Sequence, residues 1–238
     1  RIEGQKAMTK LSDRLMEIYR LINQAARVAD IGTDHAAIPI ALLETNKSSF
    51  LVATDIGLGP LEKAKEQIEL ADLDQAKQIV LRLGDGLSVI KASDKIDTVV
   101  IAGMGGELIA KIISKIPDYL KNAKFILQPN NEEIDVRKAI EKNGQYIETE
   151  KIIYENRHFY EIIVAKRSQQ GIVKMTNREL RFGPCLLKHR TSTFKNKWQE
   201  RLDHSKQIEK ILEKSLQTST KRYDSLQAEI KTIEEALK

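Results

Sequence analysis

The chain has 238 residues, 41% hydrophobic and 31% charged, which is enough for one α/β domain and a smaller module. Its apolar runs stay well below the roughly 20 residues of a membrane span, and its start lacks a secretory signal pattern, so we expect a cytoplasmic protein with no membrane partner. Cys185 is the only cysteine, which excludes an internal disulfide, and the four histidines lack metal-ligand spacing. No metal is therefore expected. Residues 1–7 precede Met8 and look like a cloning remnant.

The basic charge of the chain is concentrated near its C-terminus. Net charge is +5 at pH 7. Residues 171–238 hold 15 Lys and Arg against 9 Asp and Glu, whereas residues 1–170 hold 24 against 25. This asymmetry favours a polyanionic partner, with nucleic acid first. The alternative is a solvated, Lys-rich helical surface.

The first two thirds of the chain alternate between helical and strand patterns. Leu11–Ala25 has apolar residues at helical spacing and predicts an amphipathic helix. Five apolar strands are predicted next, at Arg27–Ile31, Phe50–Asp55, Ile79–Leu83, Asp97–Ala102 and Lys124–Gln128. The helices that follow them are predicted at Pro39–Glu44, Pro60–Ala71, Glu107–Ile116 and Glu132–Lys142. This alternation indicates a mostly parallel sheet covered on both faces.

Two further strands, Tyr146–Tyr154 and Phe159–Lys166, are predicted to form a hairpin around residues 155–158. A mostly parallel, seven-stranded sheet that finishes with an antiparallel strand is similar to the fold of class I methyltransferases. Plain dinucleotide-binding domains generally lack that reversed strand. We therefore expect residues 8–167 to form a Rossmann-like methyltransferase domain.

Residues 168–238 are predicted to form a separate helical domain. Ser168–Gly171 marks its boundary, and Phe182-Gly183-Pro184 is a second breaker. Tyr223, Leu226, Ile230, Ile233 and Leu237 then form a heptad seam, and a less regular seam runs from Phe194 to Leu216. Residues 217–220 can turn the chain between them, so we expect an antiparallel helical hairpin or coiled coil whose apolar stripes form its core.

The glycine turn after the first strand is the most informative motif. Asp30-Ile31-Gly32-Thr33-Asp34-His35 follows that strand, and Asp55 closes the next one. This is the layout of a mononucleotide-binding βαβ unit in which the second acid accepts hydrogen bonds from ribose hydroxyls. Asp34 stands where the dinucleotide fingerprint has its second glycine, so its carboxylate opposes a pyrophosphate. S-adenosylmethionine, which has a ribose and no phosphate, fits better, and an oxidoreductase is disfavoured.

Unusual residues also follow the other parallel strands, where α/β proteins bind ligands. Gly84-Asp85-Gly86 follows the third strand, and Asp85 is placed to accept from the amine of an adenine. Ala102-Gly103-Met104-Gly105 follows the fourth, and Asn130, which could contact a base or cap the next helix, follows the fifth. The cofactor residues predicted in this way are Asp30, Gly32, Asp34, His35, Asp55, Ile56, Gly84, Asp85, Gly86, Ala102, Gly103, Met104 and Gly105.

Four segments together resemble the bacterial tRNA (adenine-N1)-methyltransferases that modify adenine 22, the TrmK family. They are Asp30-Ile-Gly-Thr-Asp-His-Ala, Gly84-Asp-Gly-Leu, Ile101-Ala-Gly-Met-Gly-Gly and Leu127-Gln-Pro-Asn. The resemblance covers Leu11 to Lys166 by motif and extends to the C-terminal helices by architecture. It implies S-adenosylmethionine as the methyl donor and tRNA as the acceptor.

The chemistry of such a reaction needs little from the protein beyond positioning and charge. Adenine N1 has its own lone pair, and alkylating it makes the adenine cationic. Asp34 is the predicted catalytic residue, either as an electrostatic stabiliser or as a proton acceptor for N6. Tyr154, Phe159 and Tyr160 are stacking candidates, although core packing explains them equally well. The predicted tRNA residues are Asn130, Arg178, Arg181, Lys188, Arg190, Lys195, Lys197 and Arg201.

Two alternatives stay open at this point. The chain could be a class I methyltransferase that acts on another RNA or on a protein. It could also be a nucleic-acid-binding scaffold with a degenerate cofactor domain, although the intact Asp30, Asp55 and Asp85 argue against degeneration. An obligate protein partner is not evident from the sequence.

Overall fold

The structure is a computed structural model that describes residues 9–33, 35–72, 74–215 and 220–238. Its residues form two compact units, a first that ends at Met175 and a second, Thr176–Lys238. The sequence prediction placed the division after residue 167. In the described ranges no helix is long and apolar enough to cross a membrane.

The first unit is an α/β domain. Its strands are β1 (Ala26–Ile31), β2 (Ser48–Asp55), β3 (Ile79–Leu83), β4 (Thr98–Met104), β5 (Lys124–Pro129), β6 (Gln145–Glu155) and β7 (His158–Arg167). Its α-helices are α1 (Asp13–Leu21), α2 (Ala37–Glu44), α3 (Leu58–Ala71), α4 (Gly106–Ile113) and α5 (Glu133–Lys142). Every predicted strand of this unit is therefore present, with ends that differ by at most two residues.

The seven strands form one sheet in the order β3-β2-β1-β4-β5-β7-β6. The pairings β3–β2, β2–β1, β1–β4 and β4–β5 are parallel. Strand β7 is antiparallel to both β5 and β6. The sheet is thus mixed, and the prediction of a mostly parallel sheet is corrected by the long hairpin at its edge. That hairpin turns tightly at Asn156 and Arg157, both with positive φ, because Glu155 already pairs with His158.

Successive strand residues point to opposite faces of the sheet, and each face carries its own hydrophobic core. Val99 packs with Ile109 of α4 and Val136 of α5, whereas its neighbour Val100 packs with Ile18 of α1 and residues of α2. Both faces are therefore covered, as the apolar strands predicted. The ends of the parallel strands are left free for a ligand.

Helix α1 is shorter than the predicted Leu11–Ala25. The Ser12 side chain accepts a hydrogen bond from the Leu15 N–H and begins the helix at Asp13. The helix ends at Leu21, because Ile22 is already extended and Ala25 has a φ of 60°. Helix α4 also ends early, at Ile113, since Ser114 caps it ahead of Pro117.

The second unit contains, among its described residues, α6 (Asn177–Phe182), α7 (Pro184–His189), α8 (Ser192–Lys214) and α9 (Lys221–Leu237). The rings of Phe182, Phe194 and Trp198 contact one another and form its aromatic core. Ion pairs join α8 to α9, at Arg201 with Glu229 and Lys206 with Glu234. Leu216 and most of the predicted turn, 217–219, lie outside the described residues.

Candidate cofactor site

The carboxyl ends of β1, β2 and β4 open into a cleft of about 780 Å³ that α1 and the start of β7 also line. A volume of this size suits a small-molecule cofactor with room for part of a second substrate. Predicted residues in its wall are Asp30, Gly32, His35, Asp55, Ala102, Gly103, Met104 and Asn130. The structure therefore brings together residues that are spread over a hundred positions of sequence.

Asp30 is a buried carboxylate in the wall of this cleft. Burial raises the pKa of Asp30 from 3.8 to about 6; the polar side chain of Thr33 opposes the rise and the charge of Asp55 adds to it. A cationic ligand group beside Asp30 would offset this cost of burial. Gly32 turns the chain next to it with a φ of 75°, and a Cβ there would collide with the side chain of Met104. The left-handed φ therefore favours glycine at this position.

Asp55 is held in an orientation that leaves one carboxylate oxygen for a ligand. Its Oδ1 accepts a hydrogen bond of 2.8 Å from the Gly57 N–H, and the side chain lines the cleft. His35 is exposed at the mouth of the cleft. Both His35 and Ala36 have positive φ, at 58° and 51°, which is uncommon for residues with side chains. This strained turn carries the chain from β1 into α2.

A second, smaller cavity of about 70 Å³ adjoins the cleft at the end of β3. It shares Gly32, Asp55 and Met104 with the cleft. The other predicted residues in its wall are Ile56, Gly84, Asp85 and Gly86, and Leu108 and Ile112 add apolar surface. An acid beside an apolar slot is the environment that suits a purine ring with an exocyclic amine. Gly105 is the one described cofactor candidate that lines neither cavity.

Gln128 ties the ends of β4 and β5 together under the cleft. It is fully buried, and its Oε1 accepts from the Gly103 N–H at 3.0 Å and from Arg14. Its Nε2 donates to the side chain of Asn130, whose own Nδ2 donates to the Gly103 carbonyl at 2.8 Å. Asn130 does not cap α5, because the N-cap of that helix is Glu132. The capping alternative for Asn130 is therefore wrong.

Several residues of the cleft were missed by the sequence prediction or left out of its site. Arg14 and Leu15 enter from α1, and His158, Phe159 and Tyr160 enter from the start of β7. The Arg14 guanidinium lies 5.1 Å from the centre of the Tyr160 ring. The aromatic run was a visible signal, but Arg14 looked like an ordinary polar position of an amphipathic helix.

The predicted tRNA-binding residues of the second unit differ in the contacts that their side chains make within the protein. Arg201 and Arg181 both form ion pairs with Glu229, at 3.0 and 2.8 Å, and the Lys197 ammonium lies over the Trp198 ring. Arg178 and Arg190 donate to backbone carbonyls, whereas Lys188 and Lys195 are exposed. The two exposed lysines are therefore the most available for phosphate.

Asp34, the predicted catalytic residue, lies outside the residues that the structure describes, so its role stays a prediction. Among the residues that are described, no group of three or more His, Cys, Asp or Glu side chains is arranged to hold a metal ion.

A Rossmann-like sheet that ends in an antiparallel strand, with acids at the ends of β1, β2 and β3, defines a class I methyltransferase. The sequence model of the TrmK family, described as tRNA (adenine(22)-N(1))-methyltransferase, matches residues 28–235. The chain belongs to this family.

Individual relatives agree with this assignment. The chain is 36% identical, over 84% of both sequences, to the tRNA (adenine(22)-N(1))-methyltransferase of Bacillus subtilis. A Streptococcus pneumoniae protein in complex with S-adenosyl-L-methionine superposes with a TM-score of 0.83 at 32% identity, covering 96% of this chain and all of that one. Mycoplasma capricolum TrmK in complex with S-adenosyl-homocysteine gives a TM-score of 0.83 at 27% identity, with 95% and 97% covered.

Proposed function

We propose that this chain transfers the methyl group of S-adenosylmethionine to N1 of adenine 22 in tRNA. The observation that carries this function is the cleft together with the smaller cavity beside it, in which Asp30, Asp55 and Asp85 line the ends of three neighbouring parallel strands in a chain of the TrmK family. The donor supplies a sulfonium methyl group, which is transferred by displacement at carbon.

Each acid has a part of the donor to bind. The free oxygen of Asp55 accepts from the ribose hydroxyls, and Asp85 accepts from the adenine amine in the smaller cavity. Asp30 faces the positively charged end of the molecule. These roles agree with the hydrogen bond that orients Asp55. They also agree with the burial of Asp30, because a nearby cation would stabilise its buried carboxylate.

The acceptor adenine would bind in the remaining part of the cleft, between Asn130 and the start of β7. Tyr160 and Phe159 offer ring faces on which an adenine flipped out of the tRNA would stack. Adenine N1 attacks with its own lone pair, and the ring becomes cationic. We propose that Asp34 stabilises this charge or accepts a proton from N6. This part of the proposal depends on the position of Asp34 directly after the glycine turn.

We also propose that the second unit holds the tRNA. Its α8 and α9 would form the predicted antiparallel hairpin, since hydrogen bonds join Tyr223 to Glu213 and Gln227 to Glu209, so that residue numbers rise along α9 as they fall along α8. The basic side chains between Arg178 and Arg201 would contact phosphates, with Lys188 and Lys195 as the first candidates. Replacing both lysines with Glu should weaken tRNA binding several-fold and leave S-adenosylhomocysteine binding unchanged.

The experiment that tests the function is methylation of total tRNA with a labelled donor, followed by mapping of the modified base. We expect label in tRNA, at N1 of adenine 22. Parallel incubations that label ribosomal RNA or protein while tRNA stays unlabelled would instead support a different methyltransferase. A chain that does not bind the donor in calorimetry would support a scaffold.

A further inference from the structure

Another cavity, of about 430 Å³, lies in the first unit at the edge of the sheet opposite to the cofactor cleft. Gln145 begins β6 and pairs with Arg167, which ends β7, and both residues line this cavity. Since β7 is antiparallel to both β5 and β6, the first residue of β6 lies at the amino ends of the parallel strands. The cleft lies at their carboxyl ends, so the cavity is separate from it. Its volume suits a small organic molecule.

Gln145 is the buried residue of the cavity lining, with only 3% of its surface exposed. Neither Nε2 nor Oε1 of its side chain has a hydrogen-bond partner among the described residues. A buried amide without partners costs free energy, because it has given up its hydrogen bonds to water on folding. The neighbouring amide of Asn143 is satisfied, since its Nδ2 donates to the Ile113 carbonyl at 2.7 Å. Gln145 therefore retains both a donor and an acceptor for a ligand.

The cavity wall also carries two exposed cations, Lys121 and Arg167. Lys121 forms an ion pair of 2.6 Å with the exposed carboxylate of Asp118. The hydrogen bond from Lys121 is the main cause that lowers the pKa of Asp118, and the charge of Arg167 adds to it, so both cations lie near one carboxylate. Two positive charges against one negative charge leave a surplus that attracts an anion.

We propose that this cavity binds a purine mononucleotide, with its base on Gln145 and its phosphate between Arg167 and Lys121. A carboxamide presents a donor and an acceptor side by side, and N6 and N7 of adenine present the complementary pair. Ile116 and Ile172 line the same cavity and offer apolar contact to the ring. The amide of Gln145 meets the base by turning toward the cavity. This site does not depend on the proposed function.

Equilibrium dialysis with labelled adenosine monophosphate measures this binding. The dialysis contains excess S-adenosylhomocysteine, so that the nucleotide is excluded from the proposed cofactor site. We expect the wild type to bind the label under these conditions. Adenosine lacks the phosphate and ribose 5-phosphate lacks the base, so each should compete for the site at least about 10-fold less well than unlabelled adenosine monophosphate.

Three variants locate the site. Gln145→Leu keeps a similar volume and lacks both amide atoms, so it should weaken nucleotide binding about 10-fold and leave the protein at least as stable in thermal unfolding. Arg167→Gln should weaken nucleotide binding about 10-fold and leave adenosine binding unchanged. Arg157→Gln is the matched control, because Arg157 is an exposed arginine at the opposite end of the same hairpin. It should leave nucleotide binding unchanged.

Several results would overturn the assignment. A wild type that does not bind adenosine monophosphate at millimolar concentrations would refute it, and loss of tRNA binding by Gln145→Leu in that case would assign the cavity to a nucleotide of tRNA. Binding that Gln145→Leu leaves unchanged, or that Arg157→Gln weakens equally, would place the nucleotide elsewhere. A Gln145→Leu protein that is less stable than the wild type would show that the amide serves the fold and not a ligand.

Discussion

Replacing Asp30 with Asn should make the protein more stable while it abolishes cofactor binding. The carboxylate of Asp30 is buried, and its pKa of about 6 lies above the 3.8 of an exposed aspartate. Since one pKa unit corresponds to about 1.4 kcal/mol, the ionised form costs the folded protein up to about 3 kcal/mol at pH 7. Asn has nearly the same shape and no charge, so Asp30→Asn removes this cost.

The pH dependence follows from the sign of the shift. A folded protein that holds the Asp30 proton more tightly than the unfolded chain loses stability as the pH rises from about 4 to about 6. The advantage of Asp30→Asn should therefore be full above pH 7 and vanish near pH 4. At neutral pH the gain would correspond to a Tm increase of roughly 6 °C or more.

Thermal unfolding of the ligand-free protein at several pH values measures this effect. Asp94→Asn is the matched control, because the pKa of Asp94 is shifted in the opposite direction. The main cause is a hydrogen bond from Arg82, which lowers the pKa of Asp94 despite its burial. That variant should be less stable than the wild type at pH 7. An Asp30→Asn protein that is equally or less stable at pH 7 would refute the reasoning, because Asp30 would then be stabilised by its surroundings.

Three further predictions concern packing, burial and charge. Gly106→Ala should destabilise the protein and weaken cofactor binding, because its Cβ would meet backbone carbonyls after β5, whereas Gly59→Ala, with open space, should not. Arg137→Met should cost about 3–5 kcal/mol in urea unfolding, since it removes the buried guanidinium that forms ion pairs with Glu150 and Glu161, and the exposed Lys138→Met should cost little. The affinity for tRNA should fall steeply with salt while that for S-adenosylhomocysteine changes little; a flat salt response would argue against phosphate contacts.

Local patterns in the sequence were sufficient to predict the strands and most of the cleft. The apolar strands are continuous because both sheet faces are buried, and their ends coincide with the glycines and acids that form the site. The relation of Gly32 to Asp55 is set by one βαβ unit, so spacing alone places both residues. These features depend on few long-range contacts.

The missed features depend on contacts between distant parts of the chain. Arg14 reaches the cleft only because α1 packs beside the hairpin of β6 and β7, and Glu155 fixes its backbone from that hairpin. The role of Gln128 as a link under the Gly103 loop also depends on the register of β4 and β5. Helical periodicity in the sequence identifies the buried face of a helix, but it does not identify the distant residues that contact that face.

We claim that one cleft of this protein holds a methyl donor next to a single adenine of tRNA. The most direct test uses two transcripts of the same tRNA, one with adenine and one with guanine at position 22, incubated with the protein and a labelled donor. We predict one methyl group per transcript, at N1 of that adenine, and none on the guanine transcript. Equal labelling of both transcripts, or a methyl group on another atom, would contradict the claim.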